Sequence, residues 1–232
     1  MSLFVLLMGV QGAGKGEQAR FITARYGIPQ LSTGDLFRAM KTRQDDFARK
    51  IQQMMAEGKL IDDATTCEVV RERLALPDAQ GGVIFDGFPR TPAQAAWLDG
   101  YLHEHGHSLK AVILLDLDLY TAFKRAFGRV SAKDGRTWNL YSNSEGVDFV
   151  FEPHPEGQYP PRLNATVSET GEALNRRPDD AHAHAIIRRI DTYVAETAPL
   201  IAYYREKGLL RELNADQPIA VISQAIGSIL DG

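Results

Sequence analysis

The sequence predicts an α/β fold, a parallel five-stranded sheet flanked by helices, and three observations predict it. Short apolar runs alternate with segments of helical period along most of the 232 residues. The strand-like runs carry few polar residues, as strands covered on both faces do. The first run, Leu3-Phe4-Val5-Leu6-Leu7-Met8, leads straight into a glycine loop, Gly9-Val10-Gln11-Gly12-Ala13-Gly14-Lys15-Gly16, with a helix-compatible segment behind it. A hydrophobic share of 44% is ample for a core.

In chain order, strands are expected at 3–8, 29–31, 83–86, 111–117 and 209–214. Helices are expected near 16–25, 34–57, 62–76, 92–104, 119–127, 180–206 and 218–230. The first helix stops at Gly27, a residue suited to the left-handed turn that closes a helix. In the helix at 92–104, Trp97, Leu98, Tyr101 and Leu102 recur at helical spacing and read as core. Residues 130–178 break the rhythm. Ser142-Asn143-Ser144-Glu145-Gly146 and the proline-rich run from Glu152 to Pro161 are loop chemistry, too long for a simple connection. An inserted lobe, a mobile lid and an unstructured loop are the alternatives. Phe149, Val150, Phe151 and Val167 could form a small β core, which favours the lobe.

A formal net charge of -4 gives no global basic field for nucleic acid or an anionic membrane, so phosphate binding must come from local arginines. The single cysteine, Cys67, excludes an internal disulfide and a cysteine-based metal cluster and fits a reducing compartment. The apolar start lacks a basic n-region and breaks at Gly9, and no run is long enough to span a bilayer. A cytoplasmic protein is expected. His103, His105 and His107 read as surface residues. His182 and His184 are two apart, poor geometry for one helix face, so no metal site of direct protein ligands is expected.

The glycine loop carries the first chemistry. Glycines let consecutive backbone N–H groups turn onto an anion, the following helix adds its positive N-terminus, and the lysine reaches the outer phosphates. Gly16 stands where Ser or Thr commonly follows the lysine, and an acid, Glu17, comes next. Ligands in parallel sheets bind at the carboxyl ends of strands, and Asp86-Gly87 and Asp116 fall at that edge too.

Four more motifs follow: Ser32-Thr33-Gly34-Asp35-Leu36-Phe37-Arg38; Gly58-Lys59-Leu60-Ile61; Asp86-Gly87-Phe88-Pro89-Arg90 with Gln94 four residues on; and Arg177-Pro178-Asp179-Asp180 before a helix bearing Arg188 and Arg189. With the glycine loop, this ordered set closely resembles the adenylate kinase family of nucleoside monophosphate kinases, across 3–230 and most weakly over 138–168. The resemblance implies a P-loop NTPase fold. Its CORE would comprise 1–31, 62–128 and 179–232, with a lobe over the monophosphate at 32–61 and a LID lobe at 129–178. It also implies reversible phosphoryl transfer from ATP to AMP, giving two ADP, with Mg²⁺ and as a monomer.

The family's roles carry over to matching positions. Gly12, Ala13, Gly14, Lys15 and Gly16, with Glu17 beside them, would cradle ATP phosphates. Arg125 would lie near the ATP base and Arg129 on its phosphates, with Thr137, Trp138 and Gln217 bordering the ATP side. Thr33, Arg38, Lys59, Leu60, Ile61, Gly87, Phe88, Pro89, Arg90 and Gln94 would hold AMP. Arg177 and Arg189 would close on the transferring group, and Asp86 would orient Mg²⁺ through water. Family spacing counted back from Thr197-Ala198-Pro199-Leu200 selects Arg189, whereas counting from Asp179-Asp180 selects Arg188. An inserted residue within 181–187 reconciles them, and Arg189 is preferred. Asp35 reads better as a first-turn carboxylate than as a ligand. Thr33, where UMP- and CMP-using relatives tend to carry Ala, and the two-sided amide of Gln94 argue for AMP as acceptor.

This chain departs from the family twice. Glu17 replaces a usual Thr; it would turn away from the phosphates or join the metal's water shell, tuning turnover rather than abolishing it. The LID lacks the four zinc cysteines of many long-lid relatives, so no zinc is expected. The LID is also longer than usual and has Gly128-Arg129-Val130 where a double arginine is common. Two other readings stand beside the main one: a UMP/CMP-type kinase, and a non-catalytic nucleotide-binding protein with Glu17 as the damaging change.

Overall fold

A computed structural model describes residues 2–40, 42–56, 61–153, 162–176, 180 and 182–232, except the side chains at 38 and 54–56. The elements in order are β1 (Phe4–Met8), α1 (Lys15–Tyr26), β2 (Gln30–Ser32), α2 (Thr33–Met40), α3 (Asp46–Ala56), α4 (Asp63–Leu74), β3 (Ile84–Asp86), α5 (Pro92–Glu104), β4 (Leu109–Asp116), α6 (Leu119–Phe127), β5 (Arg129–Ser131), β6 (Thr137–Asn139), β7 (Val147–Glu152), β8 (Arg162–Val167), β9 (Ala173–Leu174), α7 (Ala183–Thr192), α8 (Pro199–Glu206), β10 (Leu210–Asn214) and α9 (Ile219–Asp231). They fall into two compact units. One comprises Met1–Gly9, Gly14–Asp116 and Tyr193–Gly232; the other comprises Val10–Ala13 and Leu117–Thr192.

The first unit holds the expected sheet, in the order β10-β4-β1-β3-β2, with every pairing parallel. β1 is buried along its whole length, which explains its unbroken apolar run. Phe4, Leu6, Met8, Phe85, Val112 and Leu114 pack with Leu98, Leu102, Leu200 and Tyr204 of α5 and α8. Trp97 and Tyr101 are half-buried against that cluster. Gln18, 1% exposed on α1, is satisfied from α9: it donates to the Ile219 carbonyl and its oxygen accepts the Ser223 hydroxyl at 2.9 Å. Register places Asp86 level with Leu7 and Ser32, so the carboxyl ends of β1, β2 and β3 line up.

Two expected helices are each broken. The segment 34–57 divides into α2 and α3 because Asp45 starts a new helix, its Oδ1 accepting the Ala48 N–H at 2.9 Å. The segment 180–206 divides at Pro199, which has no N–H to continue a helix. A π-helical turn, Tyr193–Thr197, fills the join, and the Ala198 N–H reaches the Tyr193 carbonyl at 2.8 Å. Around α2 and α3, Met40, Ala48, Ile51 and Val69 form a small apolar cluster with Leu36, Phe37, Phe47 and Ile61 against it.

The second unit contains the antiparallel pairs β5–β6 and β7–β8–β9, with α6 packed on α7. Its core is Val130, Ala132, Leu140, Val147, Ala165, Val167 and Leu174. The segment 130–178 therefore does carry a β core, and Val167 belongs to it. Phe149, Val150 and Phe151 do not: they are 42%, 52% and 40% exposed on β7, which is buried only at Val147. Ala165 and Val167 of β8 and Leu174 of β9 fill the core instead. Among the described residues, no helix is long and apolar enough to cross a membrane.

Candidate active site

The chain leaves β1 at Gly9, where φ is 141°, and passes through Gly12 and Gly14 at φ 89° and 91°. L side chains rarely adopt such values. A Cβ on Gly12 would also stand 2.7 Å from the Ala122 carbonyl oxygen and 3.2 Å from the Arg125 Cβ. Gly14 begins α1 with no side-chain cap, which leaves the helix's positive end to an external anion. Lys15 Nζ folds over the loop and donates to the Gly9 carbonyl at 2.7 Å. At Gly16 a Cβ would meet nothing within 4 Å, so sterics do not require glycine there. Glu17 forms an ion pair with Arg20, one turn along α1.

Two strands away in sequence but adjacent in the sheet, β3 delivers Asp86 and Gly87. Asp86 Oδ2 accepts the Gln30 amide at 2.8 Å. The Gly87 carbonyl takes two donors, the buried Thr33 hydroxyl and Arg90 Nε, both at 2.8 Å. Both lone pairs are thereby used, and the Arg90 side chain is tethered through its Nε. Gly87 has φ 74°, and a Cβ there would crowd Thr33 Oγ1 at 3.1 Å and Arg90 Nη2 at 3.2 Å. Phe88 and Pro89 are buried beside it. Gln94 is 5% exposed and engaged at both ends of its amide. Its oxygen accepts the Arg90 N–H at 2.8 Å, and its nitrogen donates to Asp63 Oδ1 at 2.7 Å. Ser32 caps α2 by accepting the Asp35 N–H at 3.3 Å, leaving Asp35 as a first-turn carboxylate.

In the second unit, Asp180 is fully buried and binds two arginines. Its Oδ2 accepts Arg129 Nε at 2.9 Å and also Arg129 Nη2; its Oδ1 accepts Arg189 Nη1 at 2.8 Å. One carboxylate thus gathers two guanidiniums that would otherwise repel, leaving the group net positive. Arg188 is exposed, so Arg189 is the neighbour that joins Arg129. Arg125 is half-buried on α6, against Gly12. Thr137 and Trp138 lie on β6; Trp138 packs on the apolar core of this unit, and the Arg136 guanidinium lies 5.3 Å from its ring centre.

Of the other expected site residues, Ile61 is half-buried against the α2–α3 cluster, and Gln217 is exposed in the loop before α9. Lys59, Leu60, Arg177 and the Arg38 side chain lie outside the described residues. Sequence reasoning did not assign site roles to Gln30, Asp63 or Asp180. Asp63 lies two residues beyond the 59–61 stretch and Asp180 ends the Arg-Pro-Asp-Asp motif, so proximity to motifs was the available signal. Cys67 is buried, and burial pushes its thiol up to about 11, an inert side chain near neutral pH. Among the described residues, no group of three or more His, Cys, Asp or Glu side chains is placed to hold a metal ion.

The family model described as adenylate kinase matches residues 7–209. An adenylate kinase of Moorella thermoacetica is 37% identical over 227 residues, covering 97% of each chain. One from Desulfitobacterium hafniense is 39% identical over 222 residues, covering 95% of this chain and 94% of its own. One from Listeria monocytogenes is 35% identical over 227 residues, covering 97% of this chain and 98% of its own. With its glycine loop, its tethered Arg90 and a match over nearly its whole length, this chain belongs to the adenylate kinase family.

Proposed function

We propose that this protein is an ATP:AMP phosphotransferase that converts ATP and AMP reversibly into two ADP. One observation carries the reading. The phosphate loop after β1 and the Asp86-to-Arg90 segment after β3 leave neighbouring parallel strands at the same edge of the sheet. Two phosphate-recognising segments side by side suit a reaction between two nucleotides, and a hydrolase needs only one.

In this reading the loop N–H groups and Lys15 hold the ATP phosphates, with Arg125 and Arg129 on the same nucleotide. Thr33, Arg38, Arg90 and Gln94 hold AMP, and Arg129, Arg177 and Arg189 neutralise charge on the transferring group. The work is positioning and charge stabilisation. No general base is required, because the attacking phosphate oxygen has a second pKa of about 6 and is already largely ionised near pH 7. Arginine suits the task, since its planar fork matches phosphate oxygens and keeps its charge. Asp86 fits an orienting role toward Mg²⁺: Gln30 fixes one carboxylate oxygen, and the half-buried side chain stands at the strand end. Mg²⁺ bound with ATP would neutralise donor phosphate charge. The domain limits given above, a cytoplasmic location and a monomeric state belong to the same proposal.

The test is an ADP-forming assay with ATP as donor and AMP, UMP or CMP as acceptor, on the wild type and on Lys15→Ala. AMP is expected to be the preferred acceptor, and Lys15→Ala to lose turnover by about a hundredfold or more. Nucleotide binding without ADP formation from ATP and AMP would overturn the reading.

A further inference from the structure

The amide of Gln94 sits in a closed hydrogen-bond ring that its proposed role in base recognition does not by itself require. Asp63, half-buried at the start of α4, accepts Gln94 Nε2 on Oδ1 at 2.7 Å and the Thr91 hydroxyl on Oδ2 at 2.8 Å. Thr91 Oγ1 in turn accepts the Gln94 backbone N–H at 3.3 Å, capping α5. The Gln94 oxygen accepts the Arg90 N–H at 2.8 Å. Rotating the amide by half a turn would set its oxygen against the Asp63 carboxylate and its NH₂ against the Arg90 N–H. Both contacts would then be repulsive, so the two partners specify one orientation.

An amide has two N–H donors and two acceptor lone pairs. The ring uses one of each and leaves one of each in a fixed order. Adenine offers an amino donor at C6 beside an acceptor ring nitrogen, which an amide can meet with both its atoms. Hypoxanthine and guanine carry an oxygen at C6 and an N–H at N1, the inverse order. A freely turning glutamine could satisfy either pattern; a locked one can satisfy only one. We propose that Asp63 is a specificity-determining, positioning residue: by locking the Gln94 amide it selects 6-amino over 6-oxo purine monophosphates. This rests on the reading that Gln94 meets the acceptor base.

The experiment measures kcat and KM for AMP and for IMP, with ATP as donor, on the wild type, Asp63→Asn, Gln94→Leu and the double variant. Asp63→Asn keeps shape but replaces the carboxylate by a group that can face either way. It should lower the AMP-to-IMP ratio of kcat/KM by about tenfold, the size of a lost charge-assisted preference. The change should appear mainly in KM, with kcat at saturating AMP within about twofold of wild type. In the Gln94→Leu background the same substitution should leave the ratio unmoved. If Gln94→Leu collapses the ratio and Asp63→Asn does not, the lock is wrong and the base reading stands. If Gln94→Leu leaves the ratio intact, the base reading fails and the lock with it. An equal loss for both acceptors in Asp63→Asn would mean a structural role only, and would also overturn the proposal. Asp63→Ser, which likewise removes the carboxylate, is carried in parallel should the first variant not fold.

Discussion

Glu17 is the side chain most at odds with a phosphate loop, and its fate is decided one turn along its own helix. The carboxylate pairs with Arg20, and both side chains are partly exposed. A carboxylate held there has its charge partly answered and lies in the first turn of α1, where the helix dipole also favours it. Between the two expectations for Glu17, this geometry favours turning away over joining the metal's water shell. Glu17→Thr is therefore expected to leave the Mg²⁺ concentration for half-maximal turnover unchanged and to alter stability by less than about 1 kcal/mol, as for exposed pairs. Initial rates across a Mg²⁺ series check this, and a displaced half-maximal concentration would contradict it. At this scale the sequence was readable where a residue's type alone carries the chemistry. Lys15 after a glycine loop and Arg90 after a strand end are examples. Asp63 and Asp180 were not readable in the same way. A carboxylate near the start of a helix looks like a dipole or capping residue from sequence, and only tertiary structure brings Gln94 to one and Arg129 with Arg189 to the other.

At the scale of elements, local signals worked where they were unopposed. The apolar runs of β1 and β4 and the helical spacing of Trp97, Leu98, Tyr101 and Leu102 in α5 each specified an element whose position matches expectation within a residue or two. The two broken helices were misread because apolar period continued across a stop written in another residue type: the capping carboxylate of Asp45 in one, Pro199 in the other. The same kind of cap governs α4. Asp62 precedes it in an extended conformation and accepts both the Thr65 N–H at 2.7 Å and the Thr65 hydroxyl at 3.0 Å. Those bonds, the backbone one first, hold the carboxyl below its ordinary value of 3.8. A depressed folded-state value means that the cap stabilises above the unfolded value and loses its contribution as pH falls through the folded one. Asp62→Ala should cost about 1 kcal/mol at neutral pH. In urea unfolding, the gap between variant and wild type should narrow as pH drops below 3.8. A gap that stays constant with pH would remove the charge from the explanation.

At the scale of the whole molecule, the two compact units differ in how their sheets are covered, and that difference should be measurable as stability. In the first unit β1 is wholly buried, and β4 is buried at six of its eight positions between two parallel neighbours. Its opening would expose the apolar cluster that packs these strands against α5 and α8. In the second unit β7 is buried only at Val147 and lies at the edge of a three-strand sheet, with Phe149, Val150 and Phe151 facing water. Backbone hydrogen bonds on an edge strand with few buried side chains open without dismantling a core. Native-state hydrogen exchange should therefore resolve two classes. Amides of β1 and β4 should exchange only through global unfolding, with an opening free energy that falls steeply as denaturant is added. Amides of the β7–β8 ladder should exchange through openings cheaper by at least about 2 kcal/mol, with a shallow denaturant dependence, because little surface is exposed. Val167→Ala tests where the second class comes from. This side chain is 6% exposed in the small β core, so its truncation should weaken protection across β7, β8 and β9. It should leave the β1 and β4 amides at their wild-type opening energies. A uniform loss of protection across both sheets would mean that the two units unfold as one cooperative body, and would overturn the expectation of separate stabilities.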